Sequence, residues 1–160
     1  MKKTIVVVVA AFAVLALAFG GLVVFFYLTN RTIDQTLATE VTVSSEWIEI
    51  VPDPPLSKTR QVPEIDLEIA GYRHDVNDRL PFGQIRLPDG KIISPQIEAY
   101  DESGKKHEFR HTGYTMSRKD LIGYTPAGGL PDQVRLTRLR IRSDEPFVCE
   151  RLFWRNRDLK

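Results

Sequence analysis

The stretch Gln96-Ile97-Glu98-Ala99-Tyr100-Asp101-Glu102-Ser103-Gly104-Lys105-Lys106-His107-Glu108-Phe109-Arg110-His111 reads as two strands and a turn. Gln96–Tyr100 and Lys105–His111 supply the strands. Asp101-Glu102-Ser103-Gly104 joins them, with Gly104 free to take the left-handed position of a bulged turn. A hairpin here sets the class of the domain, because its neighbours in sequence repeat the same short-strand pattern.

Upstream, Ile65-Asp66-Leu67-Glu68-Ile69 alternates, with three apolar residues on one face and two carboxylates on the other, the mark of a half-buried strand. Trp47–Val51 is a further strand, stopped by Pro52, Pro54 and Pro55, which cannot continue a ladder. Gly71–Pro81 is a charged loop. Gln84–Leu87 and Lys91–Ile93 flank Pro88-Asp89-Gly90, a strong turn signal. Downstream, Tyr114–Pro131 reads as an irregular loop marked by Pro126, Gly128, Gly129 and Pro131. Val134–Arg142 alternates with a phase change that predicts a bulge near Thr137-Arg138. Ser143–Pro146 turns the chain, and Phe147–Trp154 returns as the second arm of a closing hairpin. About eight short strands with turns between them predict a mainly β domain, an antiparallel sandwich of jelly-roll type.

The N-terminus has another character. Ile5–Leu28 is twenty-four residues without a charge, preceded by Lys2-Lys3 and followed by Asn30-Arg31. As a helix it is about 36 Å long, enough for a hydrocarbon layer of about 30 Å. A cleaved signal peptide has a shorter apolar core and a small-residue site after it. Here Ala16-Leu17-Ala18 lies inside the run. The segment therefore reads as an uncleaved signal anchor over 1–29. The lysines before it place the N-terminus in the cytoplasm and the rest of the chain outside the cell membrane, as a single-pass protein. Ile33, Leu37 and Val41 recur at four-residue spacing, so 30–45 reads as a stalk whose first part prolongs the helix. The extracytoplasmic domain then spans 46–160.

The 160-residue chain carries 22 basic and 21 acidic residues, a balance that gives no reason to expect nucleic acid. From 31 to 133 there are 12 basic and 17 acidic residues, and from 134 onward 8 and 4, so the C-terminal end is a basic patch. Cys149 is the sole cysteine and can form no internal disulfide. It reads as a small buried hydrophobe on a strand.

Val134-Arg135-Leu136, then Leu139-Arg140-Ile141-Arg142-Ser143-Asp144-Glu145-Pro146, then Leu152-Phe153-Trp154 resemble the closing strands of galactose-binding-like jelly-roll domains. The resemblance covers about a quarter of the ectodomain. It implies an eight- or nine-stranded sandwich of a kind often used as a binding module, with ligand residues in variable loops.

No nucleophile elbow, phosphate-binding loop or dinucleotide fingerprint is present. No residue is assigned a catalytic role, and no cofactor is expected. His107 and His111 share a strand face with Phe109, but lie roughly 13 Å apart along it, too far to share one metal. Asp75, Asn77 and Asp78 form a loop cluster that would suit calcium, although Leu80 stands where a calcium-binding loop of the EF-hand type needs glycine. Arg138, Arg140 and Arg142 share one face, spaced about 6.6 Å apart, and would suit sulfate, phosphate or carboxylate groups. Cross-strand carboxylates such as Glu150 would neutralise them.

The functional expectation is a membrane-tethered, non-catalytic binding or assembly module whose ligand is an envelope glycan or a membrane-protein partner. The alternative is a structural accessory subunit of an envelope complex with no small ligand. A hydrolase with a dispersed site comes third.

Overall fold

The computed structural model describes residues 33–58, 62–75, 78–115 and 118–157. The expected anchor lies outside them. Among the described residues no helix is long and apolar enough to cross a membrane. The chain from Ile33 onward forms one compact unit.

Eleven strands follow one another: β1 (Ile33–Val43), β2 (Ile48–Ile50), β3 (Leu56–Ser57), β4 (Val62–Glu68), β5 (Ile85–Arg86), β6 (Ile92–Ile93), β7 (Gln96–Asp101), β8 (Lys106–Thr115), β9 (Arg118–Pro126), β10 (Arg135–Arg142) and β11 (Phe147–Arg157). Nine of them make one antiparallel sheet. Its order is β1-β11-β4-β9-β8-β7-β10-β2, with β3 also paired to β10. The end strands β1 and β2 approach each other, so the sheet nearly closes as a barrel. Two hydrogen bonds bridge the seam. Ser143 N donates to Ser44 O at 2.7 Å, and Gln35 Nε2 donates to Pro54 O at 2.9 Å. β5 and β6 form a separate ribbon.

The interior follows from strand alternation. Ile65 pairs with Trp154 on one side and Tyr124 on the other, and Leu67 pairs with Leu152 and Ile122. All six are buried, and β10 adds Leu136, Leu139 and Ile141. The 69–93 segment contributes Ile69, Tyr72, Ile85, Leu87 and Ile93 to the same core. It acts as a plug for the sheet's interior.

The hairpin quoted first forms as expected: β7 and β8 pair from Ile97↔Phe109 to Tyr100↔Lys106, and Gly104 has φ +80°. The bulge in β10 falls between Leu136 and Arg138. The antiparallel β class holds, but its strands form one continuous sheet instead of the two of a sandwich.

Four local readings are corrected. The stalk over 30–45 is instead strand β1 from Ile33 onward, paired with β11 as far as Val43↔Phe147. Four-residue spacing suits one face of a strand as well as a helix, so Ile33, Leu37 and Val41 did not discriminate. The region 114–131 holds β9, and the irregular loop starts only after Pro126. The closing segments β10 and β11 are not partners. β10 pairs with β2, β3 and β7, and β11 with β1 and β4, so the 143–146 turn links strands far apart in the sheet order. Finally, the outward face of β4 is not solvated: Asp66 and Glu64 are buried.

That outward face explains Gly123. A Cβ at this position would run into the Glu64 carboxylate and come within 3.2 Å of Asp66 Oδ1. Glycine keeps β9 beside β4 where two acids lie against it.

Candidate functional site: a cavity beside an exposed phenylalanine

Phe82 is 80% exposed, the most exposed large hydrophobic side chain described. Its position is fixed by a tight turn. Gln84 N donates to Pro81 O at 3.0 Å, and Gly83 takes φ +88°. A positive φ at the third residue of such a turn is the type II pattern, which glycine adopts without steric cost. The turn holds the aromatic ring outward, clear of the core.

Beside it lies a cavity of about 680 Å³, within the size range of small-ligand sites. Tyr72, His74, Asp78, Arg86 and His111 contribute to its lining. A second cavity of about 390 Å³ shares Phe82, Gly83 and His111 with the first, and adds Trp47, Glu98, Lys106 and Tyr124. His111 therefore stands between the two. Its ring is 6.4 Å from Phe82 and 5.6 Å from Tyr124, both tilted.

His111 is placed by β8. Its alternation with Phe109 points it inward opposite Tyr124. The ladder then breaks between His111 and Tyr114, and Thr112 Oγ1 donates to Gly123 O at 3.1 Å across the irregularity. Bulges of this kind recur where a strand must aim a side chain.

Three titratable side chains of the site are held in their neutral forms. Burial, assisted by His74, lowers the His111 pKa, so the imidazole is neutral at ordinary pH. Burial, with the Asp78 charge, pushes the Tyr72 phenol up to about 12. Burial likewise raises Tyr124 well above the usual phenol. His111 Nε2 and the Tyr124 hydroxyl are both buried without a hydrogen-bond partner among the described residues. Such a group costs about 1–3 kcal/mol in the free protein. The formal charges around the first cavity balance: Arg73 and Arg86 stand against Asp75 and Asp78. Arg86 forks onto Asp78 at 3.0 and 3.4 Å. In the second cavity Lys106 lies between Glu108 at 2.8 Å and Glu98 at 3.7 Å.

Comparison with known proteins finds no matching family model, no matching curated protein and no matching solved structure.

The residues singled out in the sequence take other places. Arg138, Arg140 and Arg142 do line one face of β10, where each is stacked and paired. Arg138 lies 4.2 Å from the Tyr100 ring centre and 3.6 Å from Glu49. Arg140 and Arg142 flank Trp47 at 4.8 and 4.5 Å. Arg140 reaches Glu98 at 3.5 Å, and Arg142 donates twice to Gln96 Oε1. Glu150 is on β11, which is not a neighbour of β10, so Glu49 and Glu98 are the carboxylates of this face. In the acidic loop, Asp78 is engaged by Arg86 and Asp75 is exposed, while Asn77 lies outside the described residues. No group of three or more candidate metal ligands occurs among the described residues.

Two arrangements with the look of catalytic chemistry are structural. Asp101 accepts from the His107 ring at 2.8 Å and from Ser103 Oγ at 2.6 Å. The carboxylate sits between hydroxyl and imidazole, so His107 has no contact with Ser103 to activate it. The buried Cys149 thiol lies 3.2 Å from Arg151 O, and burial pushes its pKa up to about 12, far from a reactive thiolate.

Sequence reasoning missed Phe82, Tyr72, Tyr124 and Arg86 as site residues. One signal was available. An aromatic residue between Pro81 and Gly83, inside a charged loop, has no strand to bury it.

Proposed function

We propose that this protein is a membrane-tethered, non-catalytic binding module that takes an envelope glycan in the cavity beside Phe82. The apolar run Ile5–Leu28 supports the tether, and the charge asymmetry around it supports an extracytoplasmic domain. The observation that carries the binding reading is Phe82 itself, an 80% exposed ring held by a turn beside a cavity that Tyr72, Asp78, Arg86 and His111 help to line. Sugars combine an apolar C–H face with a rim of hydroxyls. A fixed aromatic plate beside neutral hydrogen-bonding groups complements both features.

The test is a carbohydrate array probed with the full chain in phospholipid nanodiscs. The wild type is expected to bind a subset of glycans, and Phe82→Ala to weaken that binding about tenfold, the loss of an aromatic contact worth about 1.4 kcal/mol. No binding by the wild type would favour the accessory-subunit reading instead.

A further inference from the structure

Resting on the glycan reading above, we infer that the glycan is acidic: a sugar chain that lies along β8, with a carboxylate held by Arg110. The track is set by the cavities. A third cavity of about 440 Å³ shares Lys106, Glu108 and Arg110 with the second, as the second shares Phe82, Gly83 and His111 with the first. The segment from Lys105 to Thr112, almost all of it in β8, contributes to the lining of all three. At about 3.3 Å per residue it runs for roughly 23 Å, longer than a single sugar ring. Phe82 and Arg110 both line the second cavity, so an aromatic ring and a cation meet the same chain there.

The charge pattern carries the acidity. Histidines aside, Lys105, Lys106, Arg110 and Arg142 line the second and third cavities, against Glu98 and Glu108. Both acids have cation partners on this chain: Arg140 lies 3.5 Å from Glu98, and Lys106 lies 2.8 Å from Glu108. Lys106 and Glu108 hold each other ionised. Arg142 is spent on Gln96 Oε1 and the Trp47 ring. Arg110 remains. It is exposed, stands opposite Thr125 of β9, and makes no hydrogen bond or ion pair among the described residues. Glu108 feels its charge but is bonded to Lys106.

An arginine with its fork unoccupied matches a carboxylate with two parallel hydrogen bonds, a geometry that a lysine or an amide does not reproduce. A neutral sugar would leave that fork to water and the surplus positive charge uncompensated. Because Arg110 is bonded to nothing in the free protein, its loss should leave the fold as it was and weaken the complex. A structural arginine would do the reverse.

The experiment titrates the full chain in phosphatidylcholine nanodiscs, which carry no net charge. The acidic probes are pentagalacturonic acid and a hyaluronan hexasaccharide, each beside its methyl ester, which keeps the sugars and removes the charge. Maltopentaose and chitopentaose are the neutral probes. At least one acidic probe is expected to bind, at least tenfold tighter than its ester, and to weaken as salt rises from about 0.1 M to about 1 M. Arg110→Gln should weaken it about tenfold and move the melting temperature by less than about 3 °C. Arg110→Lys, which keeps the charge and loses the fork, should fall between the two. Equal binding of acid and ester, binding of neutral probes alone, or an Arg110→Gln affinity equal to wild type, each with Phe82→Ala still impaired, overturns the acidic inference and leaves the glycan reading standing. No binding of any probe, or binding indifferent to Phe82→Ala, removes the glycan reading and the inference together.

Discussion

Arg155 Nη1 lies 3.1 Å from Asp66 Oδ2, with both side chains buried on the face of β4 and β11 that looks away from the core. Arg155 Nε also donates to Asp34 Oδ1 at 3.1 Å, so one guanidinium ties β1, β11 and β4 together. Removing one member of a buried ion pair leaves the other desolvated, at a cost of about 3–5 kcal/mol. Asp66→Ala should therefore lower the urea midpoint sharply. The double change Asp66→Leu with Arg155→Met should recover most of the loss. A double variant no better than the single one would show that the pair's value is geometric.

The register of β1 sets the smallest folding unit. β1 pairs with β11 from Ile33↔Asn156 to Val43↔Phe147, and Val43 is fully buried. A fragment spanning 46–160 would expose one edge of β11, the strand that carries Trp154 and Leu152. It is expected to show no cooperative thermal transition by circular dichroism, whereas 33–160 unfolds in one. Cooperative folding of the shorter fragment would show that β1 is dispensable.

Acid stability should depend on the β7–β8 turn. The His107 ring, and then Ser103, hold the Asp101 carboxyl well below its usual range. A depressed carboxyl pKa contributes stability that is present above its unfolded value of about 3.9 and is lost as pH falls toward the folded value. The melting temperature should therefore decline as pH drops below about 4. Asp101→Asn should flatten that decline, because asparagine keeps the turn's acceptor oxygen and does not titrate. An identical acid slope in the variant would place the effect on other carboxylates.

The arginine face of β10 is expected to be structural. Changing Arg138, Arg140 and Arg142 together to glutamine removes three ring contacts and two ion pairs. At partly exposed sites these sum to about 1–3 kcal/mol. Urea denaturation should show a loss of that size. Binding to anionic vesicles should be the same for wild type and variant at low and at high salt. Salt-sensitive binding that only the wild type shows would make this face a recognition surface.

The elements legible in the sequence were those set by local chemistry. Gly104 and Gly90 both take positive φ at the turns they were expected to make, and the bulge in β10 announced itself as a phase change. Cys149 and Trp154 are buried as their strand positions implied. What failed was long-range pairing. Nothing local in 134–154 says that β10 and β11 belong to separate parts of the sheet. The burial of Asp66 was equally hidden, since an alternating strand looks the same whether its polar face meets water or an arginine. The site escaped for a related reason. Phe82, Tyr72, His111 and Tyr124 come from a turn, a loop and two strands, and only the closed sheet brings them together.

If the cavity beside Phe82 holds a glycan in the cell, a crosslinker at that position will capture carbohydrate. The most direct measurement places a photo-crosslinking phenylalanine analogue at position 82 of the full chain, irradiates intact cells, and identifies the adduct by mass spectrometry. A carbohydrate adduct is expected at position 82 and none when the analogue is placed at Val51, another exposed apolar position. An adduct with protein alone, or the same adducts from both positions, would contradict it.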